Sequence, residues 1–149
     1  MSDSQTAGEQ VANPLNGWNA KIIEEFRANS GVVGGQFTGA PVLLLHTKGA
    51  KSGKQRVTPM MYLDLDGHVY VFASKAGADT NPDWFHNLVT NPEVTFEIGS
   101  EEVTGTAVPV AGDERGRIYA VQAERFPGFA EYQDKTSRVI PVVELVRHS

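Results

Sequence analysis

Apolar residues near the N-terminus recur as Trp18, Ile22, Ile23 and Phe26, the spacing of one helical face, and Gly31 follows where such a helix can end. From Pro41 the pattern changes. Val42 to Leu45 is an unbroken apolar run of strand length, expected to be buried. Two alternating strands follow, joined at Asp66-Gly67, a dipeptide that supplies the positive backbone angles of a tight hairpin. On the second strand Val69, Val71 and Ala73 should face one way and Tyr70, Phe72 and Ser74 the other. Asn81, Pro82 and Asp83 then spell a helix start: a capping amide, a first-turn proline and an acid that suits the helix dipole. That helix should be short, stopping before Asn91-Pro92. Two strands turning near Gly99-Ser100, a helix that Pro127-Gly128 ends, and the strand "IPVVELV" complete the chain. About six strands, mostly hairpin-linked, with three helices predict an α+β fold, an antiparallel sheet or barrel with helices against it. A single domain over 14–149 is expected, after a mobile tail of residues 1–13.

Composition narrows the chemistry. The chain has 149 residues, a formal charge of −5 and no cysteine. Disulfides, thiol catalysis and zinc–thiolate sites are excluded, and a reducing cytoplasm is the natural compartment. No apolar run is long enough to span a bilayer. The stripe of the first helix can pack on the domain or touch a membrane or partner.

Against this acidic background, Lys48, Lys51, Lys54 and Arg56 stand close together, and no acid lies between His46 and Tyr62. A generally basic chain would suggest nucleic acid; one basic loop on an acidic body suggests a small polyanion. The loop is not a nucleotide phosphate loop. Gly49 and Gly53 are too close, Gln55 occupies the place of the magnesium-binding hydroxyl, and a strand follows instead of a helix. Gly49, Gly53 and Ser52 can still offer donors to an anion, while a plain solvated hairpin loop would use the same residue types. A second candidate is "ASKAGADTNPDWFHNL", where Ser74 at a strand end and Trp84 at a helix start could edge a flat heteroaromatic ring. Equally, Trp84, Phe85 and Leu88 can be core. The four histidines share no metal-ligand spacing, so no metal is expected, and no nucleophile elbow is present.

The blocks "LLLHTKGAKSGKQRVTPMMYL", "VFASKAGADTNPDWFHNLVTNPEV" and "FPGFAEYQDKTSRVIPVVEL" together resemble the deazaflavin-dependent nitroreductase family of actinobacteria. The resemblance runs from about Val42 to Leu145. It implies a split β-barrel similar to FMN-binding, pyridoxamine-phosphate-oxidase-like proteins, and a reductase using coenzyme F420, a deazaflavin with an oligoglutamate tail. Residue by residue, it implies that Lys51, Ser52 and Arg56 hold the phosphate and tail, with Lys48 and Lys54 as helpers. Val57 and Pro59 would lie beside the ring; Ala73, Ser74, Lys75, Ala76 and Gly77 would bind it, and Trp84 and Asn87 would add contacts. Hydride would pass to a small-molecule acceptor such as an enone, a quinone or a nitroaromatic, with Ser74 stabilising charge and Tyr132 or water supplying a proton.

One departure matters. Members that reduce nitro prodrugs carry several tyrosines over the substrate pocket, whereas this chain has Met61, Phe126 and Phe129 at the matching places and keeps Tyr132. A pocket poorer in hydroxyls should prefer enones or quinones to nitroimidazoles. Alternatives are an FMN-binding oxidoreductase of the same fold, a non-catalytic F420 carrier, and a quinone reductase resting on the inner face of the membrane through Trp18, Ile22 and Phe26. A homodimer is compatible with all of them.

Overall fold

The computed structural model describes residues 14–34 and 39–148, with side chains from residue 20 onward except Ala76. The expected tail over 1–13 lies outside the described residues. The elements are α1 (Pro14–Ala28), β1 (Val42–Lys48), β2 (Gln55–Leu65), β3 (His68–Phe72), a single 3-10 turn (Lys75–Gly77), α2 (Asp83–Thr90), β4 (Glu93–Ile98), β5 (Glu101–Val110), α3 (Gly112–Arg125), α4 (Gly128–Asp134) and β6 (Val142–Arg147). The six strands close into an antiparallel barrel in the order β1-β2-β3-β6-β5-β4.

Period-two alternation sorts the strand side chains into an inner and an outer set. Leu43, Leu45, Val69, Val71, Val94, Phe96, Ala107, Val143 and Leu145 form the inner cluster. Leu88 of α2 is fully buried in that same cluster, with Trp84 and Phe85 packed against it, so α2 stoppers the barrel. Outside, Leu63, Tyr70, Phe72 and Val142 meet Ile118 and Tyr119 of α3 and Phe129 of α4. A third cluster sets Ile22 and Phe26 of α1 on Val42 and Leu44 of β1. The hairpin expectation is met: Asp66 and Gly67 have φ of 55° and 87°, and the Gly67 N–H donates to Asp64 Oδ1 at 3.0 Å.

Three expectations need correction. Asn81 does not cap α2, because its Oδ1 accepts from Arg138 Nη1 at 2.8 Å, and α2 starts without a side-chain cap. A fourth α-helix, α4, follows Pro127, where the sequence predicts only a stop. The third concerns the membrane face. Ile22 and Phe26 are buried against the barrel, so the apolar stripe is spent on packing and gives a membrane contact no support; Trp18 lies outside the described side chains. No helix among the described residues is long and apolar enough to cross a membrane.

Candidate functional site: the split beside β2

Strand β2 changes partner midway. Residues Gln55 to Met61 pair with β1, and Tyr62 to Leu65 pair with β3, with no residue belonging to both ladders. Pairing with β3 stops at Tyr62↔Val71; continuing that register would set Ser74 opposite Pro59, but beyond Phe72 the chain turns away into the Lys75–Gly77 turn. The β3-facing edge of 55–61 therefore has no strand neighbour among the described residues. Pro59, which lacks an N–H, is tolerated in a strand with such an open edge.

Several residues implied by the family resemblance lie along or beside this split. Val57 and Met61 project on the outer face, where Ile23 of α1 packs on the same cluster. Met61 also packs against the cluster that holds Phe126, Phe129 and Tyr132, so it forms the floor between α1 and the α3–α4 pair. Phe129 is buried, edge-on to Phe72 and to Tyr132, and its carbonyl accepts from the Tyr119 hydroxyl at 2.6 Å. It supports the wall from behind. Phe126 and Tyr132 are half-buried. Burial first of all raises the Tyr119 pKa above its ordinary value, which keeps that hydroxyl a donor.

At the far side of the split lies the loop 73–81. Ala73 is fully buried, Ser74 half-buried and Lys75 exposed. Lys75 adopts φ 48°, uncommon for a residue with a Cβ, and its Nζ donates to Thr80 Oγ1 at 3.1 Å. Gly77 is required twice. Its φ is 83°, and a Cβ there would come 2.8 Å from the Tyr132 carbonyl oxygen and 3.0 Å from Lys135 Cβ. The loop is thus seated on α4.

The rim carries the cations. Lys48, Lys51, Lys54 and Arg56 are all exposed, and none has a carboxylate partner among the described residues. Asn87, buried on α2, ties this basic loop to the barrel stopper: its Oδ1 accepts from the Ala50 N–H at 2.9 Å, and its Nδ2 reaches Thr47 Oγ1 at 3.4 Å. Asn91 Nδ2 donates to the Lys48 carbonyl at 3.4 Å. Ser52 Oγ accepts from the Lys54 N–H at 3.2 Å. The structure therefore joins Asn87 and the basic loop directly, and leaves Trp84 partly buried beside the inner core.

Two concavities elsewhere, of about 170 and 400 Å³, contain none of the nominated residues. The smaller lies between Arg27, Ser30 and the Gly99 turn; the larger lies between His68, Tyr70 and Glu114. No group of metal-ligating side chains occurs among the described residues. Sequence reading missed Arg138, whose guanidinium reaches the loop 73–81 at four points. Its one signal was its place inside the third family-like block, with no acid beside it to pair with.

A strand edge without a neighbour and cations without a carboxylate partner, both among the described residues, together with an apolar floor, fit a flat ring with a polyanionic tail. The comparisons agree with that chemistry. Residues 18–147 match the F420H(2)-dependent quinone reductase family. An F420H(2)-dependent quinone reductase of Mycobacterium tuberculosis is 39% identical over 127 residues, spanning 82% of this chain and 85% of that protein. Among solved structures, an F420-H2 dependent reductase superposes with a TM-score of 0.65 at 39% identity, over 70% of this chain and 93% of its own. Another, described as a domain-swapped dimer, superposes with a TM-score of 0.67 at 31% identity, over 89% and 99%. The chain belongs to the F420H(2)-dependent quinone reductase family and is an oxidoreductase of split-barrel type that uses coenzyme F420.

Proposed function

We propose that the split beside β2 holds the F420 ring, and that this chain reduces an apolar quinone or enone placed over it. The observation that carries the reading is that the edge of residues 55–61 has no strand partner among the described residues, where β3 gives way to the segment 73–77, with the exposed cations of the 48–56 segment in and next to the same stretch of chain. When bound, reduced F420 supplies a hydride. The protein's own part is placement and solvent exclusion. Val57, Pro59 and Met61 form an apolar bed; Ala73 to Gly77, with Ala76 among them, meet the ring edge; Trp84 and Asn87 close the α2 side. Lys51, Ser52 and Arg56 hold the phosphate and glutamate tail, assisted by Lys48 and Lys54. Ser74, whose hydroxyl makes no hydrogen bond among the described residues, is placed to donate to an acceptor carbonyl. Tyr132 is the neighbouring hydroxyl for proton delivery.

Met61 and Phe126, with Phe129 buried behind them, give the acceptor side thioether and phenyl groups, which cannot pair with a nitro group. Quinones and enones are therefore preferred to nitroimidazoles, and comparable turnover of a bicyclic nitroimidazole and a cyclic enone would remove that preference. The relative described as a domain-swapped dimer supports a homodimer here as well. The first test is a titration of the purified protein with F420 and, separately, FMN, followed by tryptophan fluorescence and paired with quinone turnover. Tight F420 binding, weakened in Lys51→Ala and Arg56→Ala, supports the site. Binding of FMN alone overturns it, and F420 binding without turnover of any acceptor reduces it to a carrier site.

A further inference from the structure

We infer that Arg138 is a positioning residue for the loop that meets the cofactor ring. The inference rests on the split being the ring site. Arg138 lies between α4 and β6 and is half-buried. Its Nε donates to the Ala78 carbonyl at 2.8 Å, Nη1 donates to the Ala73 carbonyl at 3.1 Å and to Asn81 Oδ1 at 2.8 Å, and Nη2 donates to the Ser74 carbonyl at 2.8 Å. One planar fork thus fixes the loop at its start, middle and end, a task for which the guanidinium geometry is suited and an ammonium is not.

The arginine is itself held rigidly. Its N–H donates to Thr136 Oγ1 at 3.2 Å, and its carbonyl accepts from Gln133 Nε2 at 2.7 Å. Gln133 Oε1 accepts in turn from Arg115 Nη2 at 2.7 Å and from the Ile140 N–H at 3.1 Å. Arg115 also donates to the Ile140 carbonyl through Nε at 2.9 Å and Nη2 at 2.7 Å. These bonds hold the Arg138 main chain, so its side chain reaches the loop from a fixed point, which favours the tolerance that a reacting geometry requires.

By contrast, the loop has few bonds of its own. Ala73 donates to the Pro141 carbonyl, and the Gly77 and Ala78 N–H groups close the turn onto Ser74 and Lys75. Peptide planes 73–74 and 74–75 are trans, so with both carbonyls drawn to Arg138 the Ser74 and Lys75 N–H groups point away from it. Hydrogen bonding at a carbonyl also polarises the N–H of the same peptide. All four acceptors are neutral, so the guanidinium charge is not cancelled by any of the groups it bonds. Arg138 therefore sets both where the loop stands and how strongly its amides donate.

The experiment compares wild type, Arg138→Lys, Arg138→Gln and Asn81→Ala. It measures the F420 Kd by fluorescence, the visible absorption band of the bound cofactor, thermal stability, and kcat and KM with menadione as the quinone. Arg138→Lys keeps the charge but loses the fork. Misplacement of the loop is expected to raise the F420 Kd about tenfold or more in both arginine variants. The bound absorption band should shift towards that of free cofactor, and kcat should fall with the menadione KM unchanged. Asn81→Ala removes one acceptor and leaves the arginine in place, so it folds even where the others do not; a Kd rise of about two- to threefold is expected from one lost hydrogen bond of about 0.5 kcal/mol. Wild type that binds F420 while all variants match it in Kd, band and kcat overturns the positioning role alone. Full rescue by Arg138→Lys also overturns it, because charge without the fork would then suffice. Wild type that fails to bind F420 overturns the site and the positioning role together.

Discussion

Strands β2 and β5 perform the same topological task with opposite results. Each passes from one neighbour to the other as the barrel closes. On β5, Gly105 and Thr106 pair with β4 and with β6 at once, and the edges beyond the overlap are finished by backbone bonds from Ala107 to the Pro92 carbonyl and from His148 to the Thr104 carbonyl. On β2 the ladders meet without overlap, and among the described residues only the β1 side is finished, by the Tyr62 N–H on the Pro41 carbonyl. Overlap makes a seam; its absence makes a slot. The difference arises just after β3, where the chain leaves the sheet for a loop that α4 and Arg138 hold away from β2.

The largest stability effect is expected on the closed side. A Cβ at Gly105 would stand 2.5 Å from the Val146 carbonyl oxygen, which is backbone and cannot rotate aside. Gly105→Ala should cost about 1–3 kcal/mol of unfolding free energy through overpacking. Urea melts will measure this, and the F420 Kd of the folded fraction should stay unchanged. On the open side, Gly77→Ala meets a positive φ of 83° and the Tyr132 carbonyl. It should cost about 1–2 kcal/mol and, unlike Gly105→Ala, should also weaken F420 binding. Equal effects of the two variants on binding would erase the proposed distinction between seam and slot.

Much of the strand pattern was legible in the sequence and little of the slot. Alternation put Val69 and Val71 on one face and Tyr70 and Phe72 on the other, and the barrel makes the first face the inner one and the second the outer one. Asp66-Gly67 gave the hairpin for equally local reasons. Alternation cannot say where a neighbour leaves, so Val57, Pro59 and Met61 read like any strand residues, and their place at the open edge came from the family resemblance. Helix α4 was hidden because "GFAEYQD" is two turns long, too short for a period, behind a proline and glycine that ordinarily end helices. Asn81 looked like a cap because its neighbours are a helix start; a guanidinium supplied from far along the chain claimed its oxygen instead.

Charge at the rim should separate binding from folding altogether. Lys51 and Arg56 are exposed and bear no structural ion pair among the described residues. Lys51→Ala and Arg56→Ala should therefore leave stability within about 0.5 kcal/mol. Each should raise the F420 Kd about tenfold if a charge-assisted bond of about 1.5 kcal/mol is lost. The affinity of wild type should fall with added salt, and that dependence should flatten in the double variant. A salt-independent Kd would move the tail elsewhere.

The smallest effect expected is a pH dependence that arises away from the slot, where α1 is fastened to the barrel. Arg27 of α1 donates to Glu97 of β4 through Nε at 3.0 Å and Nη2 at 2.7 Å, and His46 Nε2 lies 2.6 Å from the same carboxylate. The Arg27 hydrogen bond holds the Glu97 pKa below its ordinary value of 4.5; burial opposes this and His46 reinforces it. A depressed folded-state value means that the contribution is fully present above the unfolded carboxylate range and is lost as pH falls through the lower, folded value. Glu97→Gln should therefore be less stable than wild type at neutral pH, by about 1 kcal/mol or less because Arg27 is half exposed. The two proteins should converge in acid. Thermal melts across that range test this, and a difference that persists unchanged well below the folded value would show that the ion pair is not what fastens α1. Since α1 also packs on Val57 and Met61, convergence accompanied by loosened F420 binding in acid would show that the fastening reaches the slot after all.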